Sequence, residues 1–192
     1  MITMDKYELL RAIARITHAN INIKGGNYFQ DEIFKVIRDS QKHESVTQEH
    51  PIPLRNPNKK RKHHHVDILT VDETLVTAIN SKGKSFNNTK SEDSELAEYQ
   101  WYISALKEQF PGKEVRYIIL KDEYNANDAR MNVYHYLNDN GISVYNTEEY
   151  MGKYGINFAE LDRRRQERAV VECEKVLKNE GFNLETIYEA RN

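Results

Sequence analysis

The sequence predicts an α/β fold, a central mixed β-sheet of about five strands flanked by helices, and three observations predict it. Between residues 46 and 82 the apolar period changes from helical to strand-like. After residue 94, helical and strand patterns alternate, the order expected of a sheet with helices on both faces. The 192 residues, 39 % apolar and 30 % charged, suffice for one core and would be a squeeze for two independent domains. A single domain over 1–192 is therefore expected, with its core at about 28–145, an N-terminal helix within 1–27 and a C-terminal helix within 157–192.

Each element follows from local pattern. Leu9, Leu10, Ile13 and Ile16 recur at helical spacing, and Gly25-Gly26 is expected to close the connection after that helix. In NYFQDEIFKVIRDS, Phe29, Ile33, Val36 and Ile37 share a helix face, with Glu32 at its edge. VTQEHPI, HHHVDILT and TLVTAINS are rich in Val, Ile and Thr and read as three strands, the last two joined by a turn at Val71-Asp72-Glu73-Thr74. KGKSFNNTKSED has almost no apolar residues and reads as a mobile loop. SELAEYQWYISALKEQF is a helix ended by Pro111-Gly112, EVRYIIL a buried strand, NDARMNVYHYLNDNG a helix stopped by Gly141, and ISVYN a short strand. Asn157 can cap a last helix whose stripe of Phe158, Leu161, Ala169, Val170, Cys173, Val176 and Leu177 runs until Gly181. That stripe suits either the core or a second copy of the chain.

Composition narrows the class. No apolar run approaches the roughly 18 to 20 residues that cross a bilayer, and the first residues carry an acid and lack a continuous apolar segment, so a soluble, cytoplasmic protein without a membrane partner is expected. Cys173 is the single cysteine, which rules out an intramolecular disulfide and suits buried packing. A net charge of −2 argues against binding nucleic acid by bulk charge. The distribution says more: residues 1–90 hold 15 Lys and Arg against 10 Asp and Glu, whereas residues 91–192 hold 13 against 20. A polyanion should therefore meet the first half, where Arg55, Lys59, Lys60, Arg61 and Lys62 crowd a Pro- and Asn-rich loop. A solvated loop with no ligand explains the same run equally well.

The chemistry-bearing residues cluster in the predicted hairpin. With Asp72-Glu73 as a two-residue turn, paired residue numbers sum to 145, which sets Asp67 opposite Ala78 and diagonal to Asn80, with Lys82 next on the same face. An acid and a lysine in a central, largely apolar strand pair cost several kcal/mol unless they pair or bind a metal. A buried polar pair with no chemistry is the plain alternative. His63, His65 and Asp67 also share a strand face, a possible zinc set, but beside KKRK the histidines better extend a phosphate-binding loop. Trp101, Tyr99 and Tyr102 have the helical spacing of core residues, more than of a base-stacking platform.

Val66-Asp67 followed by Asn80-Ser81-Lys82 in the next strand resembles the signature of the PD-(D/E)xK nuclease superfamily. The resemblance covers about residues 28–145, including a preceding helix that carries an acid, here Glu32. Val66 stands where that signature has proline, and Asn80 stands where it has its second acid, removing one charged metal ligand. The resemblance implies a bacterial or phage type II restriction endonuclease that hydrolyses double-stranded DNA with Mg²⁺. It assigns Asp67, the Asn80 amide oxygen and the Ser81 carbonyl to the metal, Glu32 to a place beside it directly or through water, and Lys82 to the attacking water. Lys84, Asn87 and Asn88, just after the active strand, are candidates for base or backbone contact. Cutting a palindrome with one small domain implies a homodimer, and a restriction enzyme implies a cognate DNA methyltransferase as genetic partner. Asn80 motivates the alternative, a nucleic-acid-binding relative without catalysis, or a non-restriction nuclease.

Overall fold

The computed structural model describes residues 21–53, 63–82, 91–121 and 128–179, with residues 181, 183 and 185. Five helices and five strands are formed there: α1 (Ile21–Asp39), β1 (Ser45–Pro53), β2 (His63–Val71), β3 (Leu75–Lys82), α2 (Glu92–Gln109), β4 (Glu114–Lys121), α3 (Asp128–Asp139), β5 (Ser143–Asn146), α4 (Thr147–Gly152) and α5 (Phe158–Asn179). The predicted helix carrying Leu9, Leu10, Ile13 and Ile16 lies outside the described residues. By contacts the chain divides into two compact units, Met1–Glu32 with Ala159–Asn192, and Ile33–Phe158.

The second unit holds one sheet in the order β1-β2-β3-β4-β5. β1, β2 and β3 pair antiparallel, and β3, β4 and β5 pair parallel. The fold class expected from the sequence, a mixed five-stranded sheet flanked by helices, is therefore borne out. Five consecutive residues of β3, Val76 to Asn80, are buried, and because successive side chains alternate in direction both sheet faces are covered. Leu96, Tyr99, Tyr102, Ala105 and Leu106 of α2 and Leu137 of α3 join Leu69, Val76, Ala78, Tyr117 and Ile119 in the principal core cluster. α2 begins at Ser91, whose hydroxyl accepts from the Ser94 N–H at 3.4 Å, and its first turn carries three acids, which suits the positive end of a helix. Gly141, at φ 84°, follows α3 in the left-handed conformation that glycine adopts without strain.

Tyr117 is 1 % exposed, stacks on Tyr99 at 4.9 Å between centroids, and its hydroxyl has no hydrogen-bond partner among the described residues. Burying an unmet hydroxyl costs about 1–3 kcal/mol. Tyr117→Phe keeps the ring and removes that cost, so the melting temperature should rise by roughly 2–4 °C in a calorimetric scan. A fall would show that the hydroxyl has a partner that stabilises the fold.

Two local expectations are corrected. Gly25-Gly26 does not close a connection between helices: α1 starts at Ile21 and runs through both glycines. Each costs about 1 kcal/mol against alanine, but α1 keeps ordinary helical conformation there, and helix growth adds one hydrogen bond per residue. The hairpin turn is also one residue later than expected. The Asp72 N–H donates to the Leu75 carbonyl at 2.8 Å, leaving Glu73-Thr74 as the two turn residues and pairing residues whose numbers sum to 147. This register sets Ile68 against Ile79, Thr70 against Thr77 and Val71 against Val76, matching like with like. β4 holds the turn in place: the Glu114 N–H donates to the Thr74 carbonyl at 2.8 Å, and the Lys113 ammonium donates to the Asp72 and Glu73 carbonyls. Because the shift in the pairing sum is even, every side chain keeps its face.

In the first unit, α5 contributes the buried residues Leu161, Ala169, Cys173 and Leu177, so the apolar stripe expected along it is largely covered. Arg168 lies 2.6 Å from Asp31 and sits over the Tyr28 ring at 4.6 Å. Among the described residues, no helix is long and apolar enough to cross a membrane.

Candidate active site

Asp67, Asn80 and Lys82 line one cleft of about 510 Å³ in the sheet-bearing unit. The ordinary β2–β3 ladder runs from Val71↔Val76 to Ile68↔Ile79. Beyond it, two side chains take over the bonding between strands. The Asp67 N–H donates to Asn80 Oδ1 at 3.2 Å, and the Ser81 N–H donates to Asp67 Oδ2 at 2.7 Å. Asp67 and Asn80 thus clasp each other's strands, where the sequence placed them on a diagonal. The donor fixes which end of the Asn80 amide faces Asp67, since only the oxygen can accept.

Burial and charge pull on Asp67 in opposite directions. Desolvation raises its pKa from the usual value near 4 to about 6, although the Lys82 ammonium and the Ser81 N–H both favour the ionised form; the negative charge of Glu49 adds to the rise. Asn80 is 7 % exposed and Lys82 is half-buried, so the group of three sits in the cleft wall and not on open surface.

Three further cleft residues had no role in the sequence reading, or were read only as core. Glu98 and Tyr102 come from successive turns of α2, with the Tyr102 hydroxyl donating to Glu98 Oε1 at 2.6 Å. His64 Nδ1 lies 3.8 Å from the same carboxylate oxygen, and its ring is 5.6 Å from that of Tyr102. Their i, i+4 spacing on a helix was visible, but what they face is set by packing α2 on β2. Tyr99 and Tyr102 are core residues, as their spacing suggests, while Trp101 reaches back to donate its Nε1–H to the Pro53 carbonyl at 3.0 Å.

The third residue is Glu49 of β1. The β1–β2 register has Gln48 opposite Ile68 and His50 opposite Val66, which sets Glu49 across from Asp67 without a regular bridge between them. Glu49 has φ 53°, a left-handed conformation that costs a non-glycine residue on the order of 1–2 kcal/mol. Val66 and Leu69 of β2, on either side of Asp67 and Ile68, both belong to the principal core cluster. An acid between Gln48 and His50 carries no sequence signal for positive φ, so Glu49 was not legible as a site residue.

Glu32 belongs to the helical unit, where it is 6 % exposed and its carboxylate lies 3.8 Å from the Arg168 guanidinium. Arg55, Lys59, Lys60, Arg61 and Lys62, and Lys84, Asn87 and Asn88, lie outside the described residues. His63, His64 and His65 line the cleft, but among the described residues no three His, Cys, Asp or Glu side chains gather closely enough to hold a metal ion. The donors at Asp67, Asn80 and Ser81 are all hard oxygens, a carboxylate, an amide and a carbonyl. That set fits Mg²⁺, which takes one or two carboxylates and keeps several waters, and it does not fit zinc.

No family model matches the chain, and no curated protein sequence matches it. Among solved structures it is similar to the small subunit (R.BspD6I2) of the heterodimeric restriction endonuclease R.BspD6I, with a TM-score of 0.43 and 13 % identity, covering 79 % of this chain and 87 % of that one.

Proposed function

We propose that the protein is a Mg²⁺-dependent endonuclease of double-stranded DNA, acting as a type II restriction enzyme at a short specific sequence. The observation that carries this reading is the clasp itself: a buried carboxylate, an amide oxygen and a lysine converge from two adjacent strands on one cleft. Bound there, Mg²⁺ would polarise the phosphoryl oxygen and stabilise the departing 3′ oxygen. Asp67 and Asn80 would hold it together with the Ser81 carbonyl. Lys82 would orient the attacking water and offset the negative charge that grows on the phosphate. The basic stretch 55–62 joins β1 to β2, and the stretch carrying Lys84, Asn87 and Asn88 joins β3 to α2. Both border the cleft strands in sequence and would contact the DNA. A homodimer would place two such sites on a palindrome, with a cognate methyltransferase protecting host DNA.

A second reading, a DNA-binding protein of this fold without catalysis, is favoured by Asn80, which offers an amide in place of a carboxylate and already uses its oxygen toward the Asp67 N–H. One experiment separates the two. Long duplex DNA incubated with the protein and Mg²⁺ should give discrete fragments, and Lys82→Ala should slow cutting by about 10² to 10⁴-fold while leaving DNA binding in Ca²⁺ intact. Intact DNA in both Mg²⁺ and Mn²⁺ would leave only the binding reading.

A further inference from the structure

We propose that Glu49 supplies the second carboxylate for the divalent cation at Asp67, taking the place of the acid that Asn80 lacks. This rests on the nuclease reading of the same site and names a ligand that the hairpin signature does not contain. Glu49 stands across from Asp67 in the β1–β2 register, lines the same cleft and is exposed to it. The two flanking pairs, Gln48↔Ile68 and His50↔Val66, are regular, so the ladder is interrupted only where the two acids face each other. Paired like charges across a ladder are unfavourable, and a shared cation removes that cost. Asn80, nine-tenths buried, borders the same cleft, so a cation there would meet neutral and charged oxygen donors from three adjacent strands.

The placement is also backbone-specific. At φ 53° Glu49 departs from extended backbone in the middle of β1. His50, the next residue, bonds Gln109 of α2 through Nε2 at 2.8 Å and lies 6.0 Å from the Phe110 ring. Nonstandard backbone of this kind is retained where the surrounding structure holds it, and it is common at functional sites.

The test is calorimetric titration of the full chain with MgCl₂ in the absence of DNA. Wild type should bind Mg²⁺, and Glu49→Gln should weaken the affinity at least tenfold, while Glu49→Asp retains part of it. Glu44→Gln, an acid 4.0 Å from Lys113 and remote from the cleft lining, should leave affinity unchanged. The melting temperature of Glu49→Gln in EDTA should be no lower than that of wild type, since the substitution relieves the facing charges; a lower one would make Glu49 a structural group and overturn the proposal. Wild-type affinity in Glu49→Gln would overturn the proposal while leaving Asp67 as the ligand, provided that Asp67→Asn abolishes binding. Equal weakening by Glu44→Gln would reduce the effect to bulk charge and also overturn it. No Mg²⁺ binding by wild type would overturn this proposal together with the cofactor reading beneath it.

Discussion

Asp67→Asn will abolish DNA cleavage and, at neutral pH, raise the melting temperature. The two effects share one cause. Asp67 is a carboxylate held in a desolvated cleft wall, with its pKa raised to about 6. Folded, it binds its proton more tightly than unfolded, so stability declines as pH rises from about 4 to about 6 and stays lower above that range. A shift of this size corresponds to up to about 3 kcal/mol at pH 7. Asparagine keeps an acceptor for the Ser81 N–H and removes the charge, although Lys82 loses its attraction in return. A net gain of about 1–2 kcal/mol is expected, or several degrees in a chain of this length. Calorimetry at pH 7.5 and pH 4.5 checks it: the gain should be present at the first and absent at the second, where the wild-type group is already protonated. Cleavage should drop by about 10³-fold or more, since the sole acid of the clasp is gone. Because a proton on Asp67 competes with Mg²⁺, Mg²⁺ affinity should fall as pH drops below about 6. Destabilisation at pH 7.5 would instead make Asp67 a structural group.

Ile119→Ala is expected to cost about 2–5 kcal/mol, a large share of the roughly 5–15 kcal/mol that holds a typical domain folded. Ile119 is fully buried in β4, the strand between β3 and β5, and stands in register with Asn80 on one side and Val144 on the other. Truncation leaves a cavity beside the strand that carries Asn80 and Lys82, and close-packed neighbours only partly fill such a space. Urea unfolding should show a lower midpoint with an unchanged slope. Thermal inactivation of the cleavage activity should move down by on the order of 10 °C. A loss below about 1 kcal/mol would mean that the sheet can close over the gap.

Legibility differed by scale. The order of strands and helices was readable because each element carries its own period: the run Tyr117 to Leu120 marks a strand buried on both faces, and the α5 stripe marks a helix buried on one. Convergence of Asp67, Asn80 and Lys82 was readable because strand parity survives an even shift in register. The register itself was not, because Asp72-Glu73 is the more polar dipeptide, while the turn chosen is the one whose carbonyls Lys113 and Glu114 can meet from 40 residues away.

By itself, then, the sequence determined the α/β class, the hairpin and the face on which its polar residues lie, since these depend on periodicities within short segments. Only the tertiary structure decided that Asp67 and Asn80 clasp each other's backbones, that Glu98, Tyr102 and His64 border the same cleft, and that Glu49 faces Asp67 from a third strand. Those placements depend on strand pairing and helix packing between distant segments, and on one residue held at positive φ, which no local pattern encodes.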